Sequence, residues 1–270
     1  MDVLLDVARL ARSTFFYHQA RLLAPDPQAE LKTAIAQIFS DSKARYGHRR
    51  VHLKLVAAGW QVAKKTVLKL MRQLGLRCPS RRRRRYVSFQ GEVGNTAPNL
   101  LERQFTADAP NQKWVTDVTE FRIGDEKLYL SPVMDLFNRQ IIAHSISRSP
   151  NLGLTSSSLR AALATLDNGE TPIVHSDQGF QYQHASWRSL LAEAGATQSM
   201  SRRGNCYDNA VMENFFGHLK EEAFHHVHHL TIDALEIAIN DYIAWFNNDR
   251  ISETLKGMSP VQYRTQALAA

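Results

Sequence analysis

Residues 114–147 read WVTDVTEFRIGDEKLYLSPVMDLFNRQIIAHSIS, and this stretch decides the fold class. Its first ten residues alternate in the manner of a strand, GDEK supplies a turn, and LYLSPVMDLF and QIIAHSIS follow as two more strands. Downstream come a helix over 154–166, a short buried strand in TPIVHSD, a helix in SWRSLLAEAG and a last short strand in ATQSM. A long helix starts near Asn209, and another runs from about Ile232 into WFNNDR. A meander followed by alternating helices and short strands predicts an α/β fold, a mixed sheet flanked by helices.

Upstream of the meander the periodicity is helical. Residues 28–46 place Leu31, Ile35, Ile38 and Phe39 at helical spacing, and a second helix covers 49–57. Gly59 marks a turn, and 63–74 reads as a third helix with Val67, Leu70, Met71 and Leu74 on one face and Gly75 as its stop. Two helices joined by a Gly-containing turn, the second carrying Lys64, Lys65, Lys69 and Arg72, have helix-turn-helix character. A plain helical bundle would share that spacing. Residues 4–17 form a further short helical pair. Five consecutive arginines, Arg81, Arg82, Arg83, Arg84 and Arg85, then open an exposed linker that suits either phosphate contact or a solvated tether.

Charge divides the chain in the same way. Residues 1–104 hold 20 Lys and Arg against 7 Asp and Glu, whereas the remainder holds 13 against 19, so the attraction to a polyanion belongs to the first part. No apolar run reaches the length of a membrane span. The two Asp in the first residues and the lack of a basic start argue against a signal peptide. Cys78 and Cys206 alone indicate neither a disulfide framework nor a cysteine zinc site, which suits a reducing cytoplasm.

Three acids stand out by position. Asp117 lies within the first strand, Asp177 follows the apolar strand of TPIVHSD, and Glu213 occupies the first turns of the long helix. Hard Mg²⁺ ions prefer carboxylate oxygens, and two of them can serve the attacking and leaving oxygens of a phosphodiester reaction. At 100° per residue Asn209, Gly217 and Lys220 fall within about 40° of Glu213, with Val211, Met212, Phe215 and Leu219 opposite. A polar stripe of Asn, Glu, Gly and Lys would then face the other acids, and Lys220 could meet a phosphate.

The segments WVTDVTEF, HSDQGFQY, SRRGNCYDNAVMENFFGHLKEE and WFNNDRISETLKGMSPVQYR, together with KARYGHRRVHLKL and VLKLMRQLGL, resemble the OrfB-type transposases of two-frame bacterial insertion sequences. The likeness runs from about residue 43 to 264. It implies an RNase H-like core of the retroviral-integrase type and a D-D-E triad at Asp117, Asp177 and Glu213 that holds divalent metal. The implied ions are two Mg²⁺, with Mn²⁺ as a substitute. The implied reaction is cleavage at the ends of an insertion sequence and transfer of the freed 3′-hydroxyl to target DNA. The partners would be double-stranded DNA, an upstream-frame protein or its fusion product, and further copies of the chain assembled on DNA. Its setting would be the nucleoid in a bacterial cytoplasm.

The expected domains are a DNA-binding helical region over 1–80, a basic linker over 81–104, the catalytic core over 105–230 and a helical extension over 231–270. Arg202 and Arg203, with Gly204, form a basic loop expected to order on DNA. Asp208 is expected to cap the long helix, and Asp135 to belong to the meander. Tyr182 and Tyr207 are candidates for stacking on frayed bases, with packing the rival role for at least one. His175 and His184 flank Asp177, as groups near metal or as satisfied local histidines. The HHVHH cluster at 225–229 has irregular spacing for zinc. Ala63 stands where relatives of this kind often cap the recognition helix with Ser or Asn. Two rival functions share these features: a nuclease on RNA–DNA hybrids, and a non-catalytic repressor of the element.

Overall fold

A computed structural model describes residues 2–79, 96–202, 206–225 and 231–269. The chain divides into two compact units, Met1–Cys78 and Pro79–Ala270. The linker arginines Arg81 to Arg85, together with Arg203, Gly204 and the histidines at 226, 228 and 229, lie outside the described residues. Among the described residues no helix is long and apolar enough to cross a membrane.

The first unit is helical: α1 (Asp2–Val7), α2 (Arg12–Leu23), α3 (Ala29–Asp41), α4 (His48–Ala57) and α5 (Lys64–Gln73). Ile35 of α3, Val51 and Leu55 of α4, and Val67, Leu70 and Met71 of α5 are buried together with Tyr46. The three-helix packing is thus the product of the 3.6-residue apolar period. Gly59 (φ +89°) and Gly75 (φ +69°) take the left-handed turns after α4 and α5, which a Cβ would strain. His52 Nε2 donates to the Val62 carbonyl at 2.9 Å and fastens the turn between the two helices. Ala63 stands at the N-cap of α5 without a side-chain hydrogen bond. Lys64, Lys65, Lys69 and Arg72 are all exposed, the last three on the opposite side of α5 from its buried residues.

The second unit is built on a six-stranded sheet: β1 (Lys113–Thr116), β2 (Thr119–Ile123), β3 (Glu126–Asp135), β4 (Ile141–Ser147), β5 (Ile173–Ser176) and β6 (Thr197–Met200). β1 and β2 both pair antiparallel with β3 in one unbroken register, so they are a single strand interrupted at Asp117 and Val118. Pro132 of β3 explains the interruption. Its carbonyl accepts the Thr116 hydroxyl at 2.9 Å, so the side of Pro132 that lacks an amide proton faces the break. Counting β1 and β2 as one strand, the spatial order is β4, β3, β1/β2, β5, β6, with β5 and β6 parallel to β1 and β3 running against it. This is the strand plan of an RNase H-like mixed sheet.

Helices cover both faces, because side chains alternate across a strand. Trp114, Val133 and Val174 pack under α6 (Leu152–Leu163) and α8 (Ala185–Glu193), with Leu159, Trp187 and Leu191. Val115, Phe121, Leu128 and Met134 face the other way, toward α9 (Ala210–Ala223) and α10 (Ile232–Asn248), with Met212, Phe215, Leu219, Leu235 and Ile239. A short helix α7 (Phe180–Gln183) follows β5, and α11 (Pro260–Leu268) closes the chain. The sequence predicts no helix at α7, while α11 lies in the region expected as a helical extension.

The two sheet edges are covered by different means. On β4, the Asn247 side chain accepts from the Ile141 amide and donates to the Ile141 carbonyl, each at 2.9 Å, as a partner strand would. On β6, Leu100 donates to Ser199 Oγ at 2.9 Å and Met200 donates to the Pro98 carbonyl at 3.2 Å. Leu101 is buried in the core. The described end of the expected linker, residues 96–104, therefore packs as part of the second unit, because it completes that unit's edge and core.

Residues 231–270 are equally integral to this unit. Glu222 of α9 accepts two bonds from Arg250, at 2.7 and 3.0 Å, and one from the Tyr242 hydroxyl at 2.9 Å, with both charged side chains 5 % exposed. Asp135 accepts from the Asn111 and Phe137 amides at 2.9 Å and from Arg264 of α11 at 3.1 Å, which ties the C-terminal helix to the meander.

Candidate active site

The register of the sheet brings the two strand aspartates together. β1 and β5 run parallel with Val115 beside His175, and the same register continued by two residues sets Asp117 beside Asp177. Neighbouring strands lie about 4.8 Å apart. Alternation places Asp117 on the face of Val115 and Asp177 on the face of Ile173, the side that α9 covers.

α9 crosses that face along the direction of β1 and β2. At its start, Asn209 donates from Nδ2 to the Thr116 carbonyl at 3.2 Å. Near its end, Lys220 Nζ sits 5.3 Å from the centre of the Phe121 ring and Phe224 packs edge-on against the same ring. Asp117 falls between these two anchor points. Glu213 lies on the stripe that joins Asn209 to Lys220, one turn beyond Asn209.

The electrostatics reflect that gathering. Burial pushes the Asp117 carboxyl well above the usual carboxylate range. The charges of Asp177 and Glu213 push it further, against the Val118 amide and Lys220. Asp177 reaches solvent, yet its carboxylate is enclosed enough that desolvation raises it too, against the Gly179 amide. Each aspartate is also held by backbone: Val118 N–H donates to Asp117 Oδ1 at 2.8 Å and Gly179 N–H to Asp177 Oδ1 at 2.9 Å. Among the described residues no three His, Cys, Asp or Glu groups already form a metal site. The triad shares a neighbourhood without closing on one point.

Gly179 is a residue that sequence reasoning passed over. A Cβ there would stand 3.0 Å from Asp177 Oδ1 and from Gln181 Oε1, and 3.4 Å from the Tyr182 ring. The Asp-x-Gly spacing was a signal for this, since Asp side chains commonly accept from the backbone two residues on.

Several other expectations change. Asp208 does not cap α9, whose N-cap is Asn209. It lies in a 3-10 turn over Cys206–Asn209 and accepts from the Arg202 amide, from Arg202 Nε and Nη2 at 2.9 and 3.0 Å, from Arg103 Nε at 3.1 Å and from Asn99 at 3.0 Å. The Arg202 guanidinium holds its carboxyl far below the usual range, aided by the Arg202 amide and Arg103 and opposed by burial. Arg202 therefore enters any DNA contact with its guanidinium already engaged, although it is 58 % exposed. Two arginines, one of them 105 residues away, outcompete a cap, and no helix-start spacing announces that.

Tyr182 is 1 % exposed and packs edge-on against Trp187 at 4.9 Å, so no ring face is open to a base. Burial raises its hydroxyl well above the usual tyrosine value, as do the charges of Asp117 and Asp177. The Tyr207 side chain lies outside the described residues. His175 is fully buried with Nδ1 2.8 Å from Ser199 Oγ and Nε2 3.1 Å from Ser201 Oγ, and burial lowers its pKa to about 4, so it is a neutral bridge between strands. His184 caps α8, its Nδ1 accepting from the Ser186 amide at 3.2 Å.

Residues 107–206 match the family described as integrase core domain, 213–268 match a second family of the same description, and 26–84 match the HTH-like domain. The putative transposase InsK for insertion sequence element IS150, from Escherichia coli K12, is 47 % identical over 266 residues, 98 % of this chain and 94 % of InsK. The transposase InsF for insertion sequence IS3A of the same organism is 34 % identical over 268 residues, 97 % of this chain and 93 % of InsF. Among solved structures, the HTLV-2 integrase catalytic core domain in complex with magnesium overlaps with a TM-score of 0.47 at 19 % identity, over 58 % of this chain and 98 % of that one. With two full-length relatives above 30 % identity, the chain belongs to the OrfB-type transposases of the IS3 family, DDE enzymes that cut and transfer DNA strands at insertion-sequence ends with the aid of divalent metal.

Proposed function

We propose that Asp117, Asp177 and Glu213 are the catalytic carboxylates of this transposase and that they hold two Mg²⁺ ions, for which Mn²⁺ can substitute. The observation that carries this reading is the set of desolvated carboxylates on one face of the sheet, with Asp177 and Glu213 both raising Asp117 and Lys220 opposing them. Such a donor set fits a hard cation, whose charge would relieve the repulsion between the acids. Its open form fits as well, since Mg²⁺ keeps waters and completes its shell with substrate phosphates. When bound, the ions supply activation of the attacking oxygen and stabilisation of the leaving one.

In this reading Asp117 and Asp177 each hold metal, Glu213 completes the second position, and Lys220 fixes the terminal phosphate. Water attacks the phosphorus at the element end, the bond to the 3′-oxygen breaks, and that oxygen leaves as a 3′-hydroxyl. The hydroxyl then attacks a target phosphodiester, so each new bond replaces a broken one and no energy-rich cofactor enters. The exposed row Lys64, Lys65, Lys69 and Arg72 reads the element ends, while Arg81 to Arg85, Arg202 and Arg203 contact phosphates. We assign 1–80 to end recognition, 81–104 to the basic connection, whose residues 96–104 pack onto the core, and 105–270 to the core with its extension. The enzyme would act at the nucleoid in a bacterial cytoplasm, as an oligomer that pairs two DNA ends, with its upstream-frame protein as partner or fusion.

The test is strand transfer on labelled element-end DNA in Mg²⁺ and in EDTA, with and without the upstream-frame protein. Asp177→Asn is expected to abolish cleavage and joining while leaving end binding intact. Joining by Asp177→Asn at the parent's rate would overturn the assignment. End binding without product under any condition would favour a repressor.

A further inference from the structure

Asn209 stands at the N-cap of α9 but does not cap it. Its side chain turns instead to the sheet, where Nδ2 donates to the Thr116 carbonyl, the peptide group that leads directly into Asp117. The orientation of the amide is settled chemically: a carbonyl can only accept, so the nitrogen faces Thr116 and the oxygen faces away. That oxygen is buried, in a residue 5 % exposed, and no hydrogen-bond donor among the described residues reaches it.

Buried amide oxygens are seldom left without a donor, because desolvation without a hydrogen bond costs free energy. Glu213 lies four residues on, on the same helix face, and Asp117 follows the carbonyl that Asn209 holds. The unsatisfied acceptor therefore belongs to a residue that neighbours two of the three carboxylates, one along the helix and one across its bond to the strand. The groups that recur between carboxylates and a hard cation are the waters the cation retains, which need acceptors beyond the ligands themselves.

We propose that Asn209 is a positioning residue of this site, its Oδ1 accepting a hydrogen bond from hydration water of the cation held by Asp117 and Glu213. The inference rests on the triad reading given under Proposed function. In this arrangement Asn209 links strand to helix through Nδ2 and orients water through Oδ1, two roles that separate chemically. Asn209→Ala removes both. Asn209→Asp removes the donor to Thr116 and keeps an acceptor oxygen.

The experiment titrates the full chain with Mn²⁺ alone, without DNA, and reads free Mn²⁺ by electron paramagnetic resonance. Melting in EDTA reports folding separately. The parent is expected to bind Mn²⁺ and Asp177→Asn to lose that binding. Asn209→Ala should weaken it about tenfold, in the range seen for groups that orient metal-site ligands, while melting in EDTA close to the parent. Asn209→Asp should bind within about threefold of the parent, since such outer acceptors matter through the oxygen they present.

A purely structural role through Nδ2 predicts the reverse, because an aspartate would repel the Thr116 carbonyl and bind no better than alanine. Unchanged affinity in Asn209→Ala, or equal loss in both variants, overturns the proposal. If Asn209→Ala melts early, Asn209→Asp decides alone: retained binding supports the proposal and lost binding overturns it. A parent without Asp177-dependent Mn²⁺ binding refutes the triad reading itself, and the inference with it.

Discussion

Replacing Arg250 by Met removes the positive half of an ion pair that is buried on both sides. Arg250 and Glu222 are each 5 % exposed, joined by bonds of 2.7 and 3.0 Å, with the guanidinium 5.3 Å from the Phe246 ring centre. Met approximates the packing of the Arg stem but leaves the Glu222 carboxylate with the Tyr242 hydroxyl and His218 Nδ1 at 3.4 Å. Breaking a buried pair from one side typically costs about 3–5 kcal/mol. Unfolding entropy is about 2.1 cal/mol/K per residue. For a unit of roughly 190 residues that is about 0.4 kcal/mol/K, so the melting temperature should fall by about 10 °C.

Calorimetry of the full chain measures that fall in the transition of the second unit. The double variant Arg250→Met with Glu222→Leu should recover most of it, because no charge is then stranded. A single-variant shift below about 2 °C would refute the reasoning, for it would mean that water reaches Glu222. The consequence reaches the site, since Glu222 belongs to the helix that carries Glu213 and Lys220.

Gly179→Ala should lower strand transfer by about tenfold to a hundredfold with little change in melting, because its Cβ crowds the Asp177 carboxylate and small misplacements of reacting groups are costly; parent-like joining would contradict the crowding. Substituting Lys64, Lys65 and Lys69 together by Gln should weaken end binding and reduce the slope of log K against log salt by roughly 2–3, as about 0.9 per lost phosphate contact predicts; an unchanged slope in gel shifts would remove α5 from the interface. Asp208 holds its proton less tightly folded than unfolded, so its contribution is full above the ordinary Asp value of 3.8, shrinks as pH falls below it and is gone only once pH falls through the lowered folded value. Asp208→Asn should therefore cost about 2 kcal/mol in denaturant titrations at pH 7 and progressively less as the pH is lowered below 3.8, as hydrogen bonds to a charged group suggest; a cost independent of pH would show that the charge is irrelevant.

Much of this could be read in one dimension. The strand alternation from Trp114 onward, the helical period through Ile35, Val67 and Leu70, and the stops at Gly59 and Gly75 are local signals, because a residue's backbone preference and its burial in a periodic face depend on near neighbours. Asp117, Asp177 and Glu213 could be singled out by where they fall, within one strand, just after another and in the first turns of a helix. The polar stripe on α9 followed from helix geometry alone.

Other features depend on partners that sequence separation hides. That Asp117 stands beside Asp177 is a matter of sheet register, set by the pairing of strands separated by three strands and a helix. Asp208 looked like a cap because one competitor, Arg103, comes from the segment before the core, and the other, Arg202, reaches it only through the fold of the loop between them. Tyr182 looked like a stacking platform until α8 covered its ring with Trp187. Local preference determined the elements and nominated the acids. Long-range hydrogen bonding, burial and the competition between distant charges decided which side chains stand free for chemistry and which are spent on holding the fold.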